Sequence, residues 1–154
     1  MQSLKEAYLE DYKIGLSYEF GSIEISKDDI VSFAKKFDPQ YFHLDEELAE
    51  ASQFNGLIAS GWHTCSIMMR LLVQNFISEC SSLGSPGVDK IRWLEPVRPG
   101  DSLSIKVKVI ENRRSKSKPD RGIVRSKIEV LNRQRVVVLN METTGFFLSR
   151  KISN

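Results

Sequence analysis

Asp38 and His43 stand five residues apart, on either side of a proline, in the stretch Phe37-Asp38-Pro39-Gln40-Tyr41-Phe42-His43-Leu44-Asp45. Gly61 follows in Leu57-Ile58-Ala59-Ser60-Gly61-Trp62, at the start of a long apolar segment. A carboxylate and an imidazole so placed can share one water, one group taking a proton while the other gives one. A helix N-terminus presents unpaired N–H groups and partial positive charge to an oxyanion that develops on a carbonyl. An acid/base pair with a backbone donor is the equipment needed to add water to a double bond conjugated with a thioester carbonyl.

The elements that must hold these groups can be read from the pattern around them. Ser26-Lys27-Asp28-Asp29 has the form of a capping box, with Ser26 as N-cap and Asp29 in place of the usual Glu or Gln. A short helix then buries Ile30, Phe33, Ala34 and Phe37 at helical spacing. Pro39 disfavours helical geometry at Asp38, so this helix stops there and leaves Asp38 on a fixed loop, with His43 on the same loop. Asp45 is the N-cap of a second short helix over Glu46–Ser52, whose acidic first turn complements the helix dipole.

After Gln53-Phe54-Asn55-Gly56, the segment Ser60–Cys80 reads as a buried central helix. Trp62, Ile67, Met68, Met69, Leu71, Leu72, Val73, Phe76 and Ile77 spread round its circumference, so other elements wrap it on most sides. His63, Arg70, Gln74, Asn75 and Glu79 interrupt the segment, which is therefore no membrane span. Cys65 and Cys80, the only cysteines, would lie about 22 Å apart on one straight helix, beyond disulfide reach.

The other elements are strands. Residues 17–25 alternate imperfectly through Tyr18, Phe20, Ile23 and Ile25, and Gly21 marks a bulge or bend. Beyond Ser81–Gly87, Ile91 and Trp93 mark a strand before the turn Pro99-Gly100-Asp101. Leu103, Ile105, Val107 and Val109 alternate with polar residues, as do Val124, Ile128 and Val130, while Val136–Phe147 is more continuously apolar and therefore central or at an interface. One strand precedes the helix and four follow it. An antiparallel sheet of about five strands and one long apolar helix must bury each other, which gives an α+β domain. Residues 1–16 form an irregular arm over it, and the basic segment Asn112–Gly122 is a long hairpin loop.

The run from Asp38 to Asp45, with the small-residue pair before the long helix, resembles the MaoC-like dehydratases and R-specific enoyl-CoA hydratases, whose pattern is roughly D-x-N-P-x-H-x-D followed by A-H-G-M. The turn Glu95-Pro96-Val97-Arg98-Pro99-Gly100-Asp101 extends the likeness over nearly the whole chain. In place of Asn-Pro this sequence has Pro39-Gln40-Tyr41, and in place of His-Gly-Met it has Ser60-Gly61-Trp62. The resemblance implies a single hotdog domain over 1–154, a sheet wrapped round a central helix, and a homodimer. It implies an acyl-CoA substrate, Asp38 and His43 as the acid/base pair, and Gly61 as oxyanion donor; we take Asp38 as the preferred base and His43 as the acid, although the sequence does not separate the two roles. Ser60 and Trp62 are then substrate-lining residues, although Ser60 is equally a helix cap.

The remaining features are ordinary. The 154 residues carry a net charge of +2 and no basic stripe interleaved with aromatics, which gives no sign of nucleic-acid binding. The reduced thiols and the polar start of the chain fit a cytoplasmic protein. His63 has no carboxylate or cysteine at metal-ligand spacing and reads as a satisfied core or interface residue; no metal and no cofactor is expected. Met68 and Met69 are packing residues. Arg113, Arg114, Lys116, Lys118 and Arg121 read as a solvated hairpin tip, or else as contacts to coenzyme A phosphates. A hotdog thioesterase, and a noncatalytic acyl-CoA-binding module, are the alternatives to a lyase.

Overall fold

A computed structural model describes residues 3–151. The chain runs through β1 (Ser17–Glu24), α1 (Lys27–Phe37), α2 (Tyr41–Leu44), α3 (Glu46–Glu50), α4 (Gly61–Asn75), β2 (Gly87–Trp93), β3 (Ser102–Arg114), β4 (Arg121–Leu131) and β5 (Val137–Leu148). All strand pairs are antiparallel, in the order β1-β3-β4-β5-β2. The near-continuous apolar run of β5 therefore lies inside the sheet, and β1 and β2 are its edges.

The alternation seen in sequence becomes one buried face. Leu103, Ile105, Val107 and Val109 of β3, and Val124, Ile128 and Val130 of β4, are almost wholly buried and share one core with Ile67, Met68, Leu71 and Leu72 of α4. Each layer supplies the apolar surface that the other removes from water. Gly21 breaks the register of β1 against β3, and a Cβ there would come within 2.6 Å of the Ser104 side chain, so the close strand approach requires glycine.

Local signals set the ends of the short helices. Ser26 Oγ accepts from the Asp29 N–H at 3.1 Å while the Asp29 carboxylate accepts from the Ser26 N–H at 3.2 Å, forming the expected capping box. The first helix ends at Phe37, with Asp38 outside the helical region ahead of Pro39. Asp45 caps α3 by accepting from Leu48 N–H at 3.0 Å.

Several expectations are corrected. The central helix ends at Asn75, not at Cys80, because the chain turns back after Phe76. The buried Tyr12 hydroxyl holds that turn, donating to the Phe76 carbonyl at 2.9 Å and accepting from Ser78 N–H at 3.2 Å. Cys80 is thus exposed and off the helix, and both thiols are free. The helix is wrapped less fully than its composition implied, since Trp62, Met69 and Val73 are exposed. Phe37 is 71% exposed rather than buried, because it ends α1 and touches the ring of Phe33, one turn back, instead of the sheet. The second short helix stops at Glu50, short of Ser52.

The basic hairpin loop is also shorter than expected, because β3 continues through Arg114. In the segment ahead of β1, Leu9 and Tyr12 are buried and the Asn112 side-chain amide donates to both their carbonyls, at 2.6 and 2.7 Å. Its first two residues lie outside the described range. Among the described residues no helix is long and apolar enough to cross a membrane.

Candidate active site

His43 is not on a loop. Tyr41–Leu44 makes a single helical turn, α2, that sequence pattern did not reveal, and this turn places the imidazole beside Asp38. His43 is buried, with Nε2 3.2 Å from Asp38 Oδ2. Its other ring nitrogen, Nδ1, lies 2.7 Å from the Ile58 carbonyl oxygen. A carbonyl only accepts, so Nδ1 carries a hydrogen and Nε2 is the nitrogen presented to Asp38.

Main-chain contacts hold that geometry. Ile58 N–H donates to the Phe42 carbonyl at 3.1 Å and Ala59 N–H to the Val97 carbonyl at 2.8 Å, which fixes the strand-like segment between α2 and the Pro96–Asp101 turn. Phe42 sets its ring edge-on to His43 at 4.6 Å and to Phe54 at 5.1 Å. The Arg98 guanidinium donates to the Phe54 carbonyl, tying this aromatic group to the same turn.

Asp38 is held from three sides. Ser60 Oγ donates to Oδ2 at 2.7 Å and Gln40 Nε2 donates to Oδ1 at 2.8 Å, with His43 as the third neighbour. Burial pushes the carboxyl pKa up, but the Ser60 and Gln40 hydrogen bonds and the charge of His43 outweigh it and leave Asp38 below the ordinary aspartate value. It is a carboxylate at neutral pH. Gln40 occupies the place where the sequence departs from Asn-Pro, and its amide steadies the carboxylate.

Ser60 is fully buried and caps α4, its oxygen accepting from the Trp62 N–H at 3.3 Å. The Gly61 N–H, by contrast, has no hydrogen-bond partner among the described residues. Asp38, His43, Gly61, Trp62 and Trp93 line one cavity of about 400 Å³. Trp93 was not anticipated, because it lies on β2, far along the chain. Its indole sits against Gly61, so that a Cβ built there would come within 2.4 Å of the ring nitrogen Nε1. Trp93 also meets Trp62 edge to face, with centroids 5.3 Å apart.

Beyond Trp62 lies a second, larger cavity of about 500 Å³, lined by Met68, Met69, Leu72, Val73 and Phe76 of α4 and by Val88 and Ile91 of β2. It is strongly apolar, and Trp62 belongs to the walls of both cavities.

Two expectations fare differently. His63 is buried, yet its Nδ1 has no partner among the described residues, so it is not a satisfied core histidine. Its ring stacks on Phe33 at 4.6 Å, and burial pushes its pKa down while the Asp29 carboxylate acts the other way. The basic cluster is partly spent on local pairs: Arg113 with Glu111, Arg114 with Glu10, and Arg121 with Asp120. In register, Trp93 pairs with Leu139 of β5 and Arg121 with Leu148, which separates the cluster from the cavity by nine residues of strand, or roughly 30 Å. Within one chain it lies at the opposite end of the sheet. No group of three or more potential metal ligands occurs among the described residues.

The family model of the MaoC like domain matches residues 11–131, and the chain belongs to that family. It is 33% identical to the uncharacterized protein YdeM of Bacillus subtilis (strain 168), a match covering 87% of this chain and 94% of that one. The crystal structure of the MaoC-like dehydratase from Rhodospirillum rubrum matches with a TM-score of 0.87 and 39% identity, over 94% of this chain and 98% of the other. The (R)-hydratase from A. caviae involved in PHA biosynthesis matches with a TM-score of 0.71 and 21% identity, over 89% and 97% of the two chains, and shares the fold. The sheet wrapped on its helix is the hotdog fold of these proteins.

Proposed function

We propose that the protein is a hydratase, or in reverse a dehydratase, that interconverts a trans-2-enoyl thioester and its 3-hydroxyacyl counterpart. The observation that carries this reading is the Asp38–His43 contact of 3.2 Å in a cavity that is also lined by Gly61, whose N–H has no partner among the described residues. Membership of the MaoC family supports it, as do the names of the Rhodospirillum dehydratase and the A. caviae hydratase.

In the hydration direction, Asp38 takes a proton from water as its oxygen bonds to the β-carbon. The electron pair of the double bond moves toward the thioester carbonyl, whose oxygen gains charge and accepts from Gly61 N–H. The α-carbon then takes the proton from His43 Nε2. Asp38 now holds the water proton and His43 lacks one, and a transfer between Oδ2 and Nε2 resets the pair. The Ile58 carbonyl keeps His43 in the tautomer this sequence needs. Coenzyme A is the thioester carrier in this reading.

The active form in this reading is a homodimer. Trp93 and Val88 on edge strand β2, together with Trp62, Met69 and Val73, form an exposed apolar surface beside an unpaired strand edge. Pairing of two such edges would cover that surface and roof the larger cavity.

The test follows crotonyl-CoA in one cuvette by the absorbance of its enoyl-thioester band and by free thiol. Loss of the band without thiol release is the expected result. Thiol release would make the protein a thioesterase, and no change with any acyl length would make it a binding module.

A further inference from the structure

We propose that Trp62 and Trp93 form a gate between the catalytic cavity and the apolar groove along α4, and that this gate sets the length of acyl chain the protein accepts. The inference rests on the thioester reading above. It begins from the position of Trp62, whose indole is a wall of both spaces. A chain whose carbonyl lies near Gly61 and whose β-carbon lies near Asp38 and His43 must extend past Trp62 to reach the groove.

With the two indoles edge to face at 5.3 Å and an interplanar angle of 75°, that path is narrowed. Gly61 is part of the device, because only a residue without a side chain leaves room for the Trp93 ring over the start of α4. Trp62 is 57% exposed and Trp93 45% exposed in the single chain, on the surface that pairing of two β2 edges would cover, so in a dimer both rings would lie between the two cavities and the partner.

The groove behind the gate suits an alkyl chain. Its walls are Met68, Met69, Leu72, Val73 and Phe76, and flexible methionines adapt to chains of different shape. Ile77 and Ser82 are also among its walls, and its volume of about 500 Å³ exceeds what a four-carbon acyl group fills. The pair as it stands confines the substrate to a short or compact acyl group, and removal of the Trp62 indole joins the two spaces for a longer one. The wild-type protein therefore prefers short thioesters, although an apolar space for long ones is built into the same helix.

The experiment compares crotonyl-CoA with trans-2-octenoyl-CoA in wild type, Trp62→Leu, and Trp62→Leu combined with Met69→Trp. Binding of the unreactive butyryl-CoA and octanoyl-CoA is measured in parallel by calorimetry. The expected result is that Trp62→Leu raises the octenoyl-to-crotonyl ratio of kcat/KM by about tenfold or more, and that Met69→Trp, which refills the groove, removes the gain. A ratio unchanged by Trp62→Leu, or a wild type that handles both lengths equally, overturns the gate. Length-dependent binding that Trp62→Leu relaxes, without hydration of any substrate, sustains the gate and sinks the hydratase reading. Hydration with an unaltered length profile does the reverse. Absence of binding at both lengths by all three proteins overturns both.

Discussion

Ser60 Oγ donates to Asp38 Oδ2 at 2.7 Å while accepting from the Trp62 N–H, so the residue that caps the central helix also fixes the carboxylate. The start of α4 and the acid/base pair are thereby one unit. Ser60→Ala removes both contacts. Loss of the cap costs about 0.5–2 kcal/mol of stability. Loss of the hydrogen bond takes away a leading cause of the lowered Asp38 pKa, which then rises. If Asp38 is the base, the acid limb of the pH–kcat/KM profile moves to higher pH in this variant, as a pH series on crotonyl-CoA will show.

Gly61→Ala keeps the backbone N–H, and nothing in the Gly61 backbone demands glycine; the obstacle is Trp93. The variant therefore folds with its indole displaced, which a shift in tryptophan emission will report, and turnover falls. Truncating Trp93 in the Gly61→Ala background restores part of the lost rate. A bare loss of the N–H donor would not be restored in this way.

His63 carries a buried nitrogen without a hydrogen-bond partner among the described residues, and leaving such an atom unpaired costs about 1–3 kcal/mol. His63→Leu is accordingly neutral or stabilising in denaturant unfolding at pH 7. The pH dependence follows from linkage. The folded pKa is depressed below the unfolded one, so the unfolded chain binds the extra proton first and stability falls as pH drops through the ordinary histidine value. Between pH 7 and pH 5 the wild type loses stability that His63→Leu retains.

Tyr12 anchors the arm to the far end of α4 through its hydroxyl. Tyr12→Phe keeps the ring contacts with Phe76 and Phe147 but strands the Ser78 N–H and the Phe76 carbonyl. The expected cost is about 1–3 kcal/mol, measured by urea unfolding.

The sequence made the sheet legible because each strand buries one face, and period-two alternation through Leu103–Val109 and Val124–Val130 records that directly. Ser26, Asp29 and Asp45 announced their caps because capping depends on residues three apart. The single turn holding His43 left no such trace; four residues are too few to show a period. Trp93 was invisible for another reason. It meets Gly61 through the packing of β2 against the start of α4, which no local pattern encodes. Gln40 stood next to the proline where the pattern departs from the family, yet an amide two residues from a carboxylate is too common to single out. Phe37 misled because helical spacing identifies a face, and the last residue of a helix can lie beyond the surface that face covers.

The central claim is that Asp38 and His43 act together on the thioester. The most direct measurement is the rate of loss of the enoyl band of crotonyl-CoA for wild type, Asp38→Asn and His43→Ala at matched thermal stability. A positioned acid or base contributes roughly 10²–10⁴ in rate, so each variant is expected to fall by that factor while its melting temperature stays close to wild type. The double variant is expected to fall little further than either single one, because the two groups serve one proton transfer cycle. A folded Asp38→Asn that hydrates within about tenfold of wild type, below the least contribution of a general base, would contradict the account.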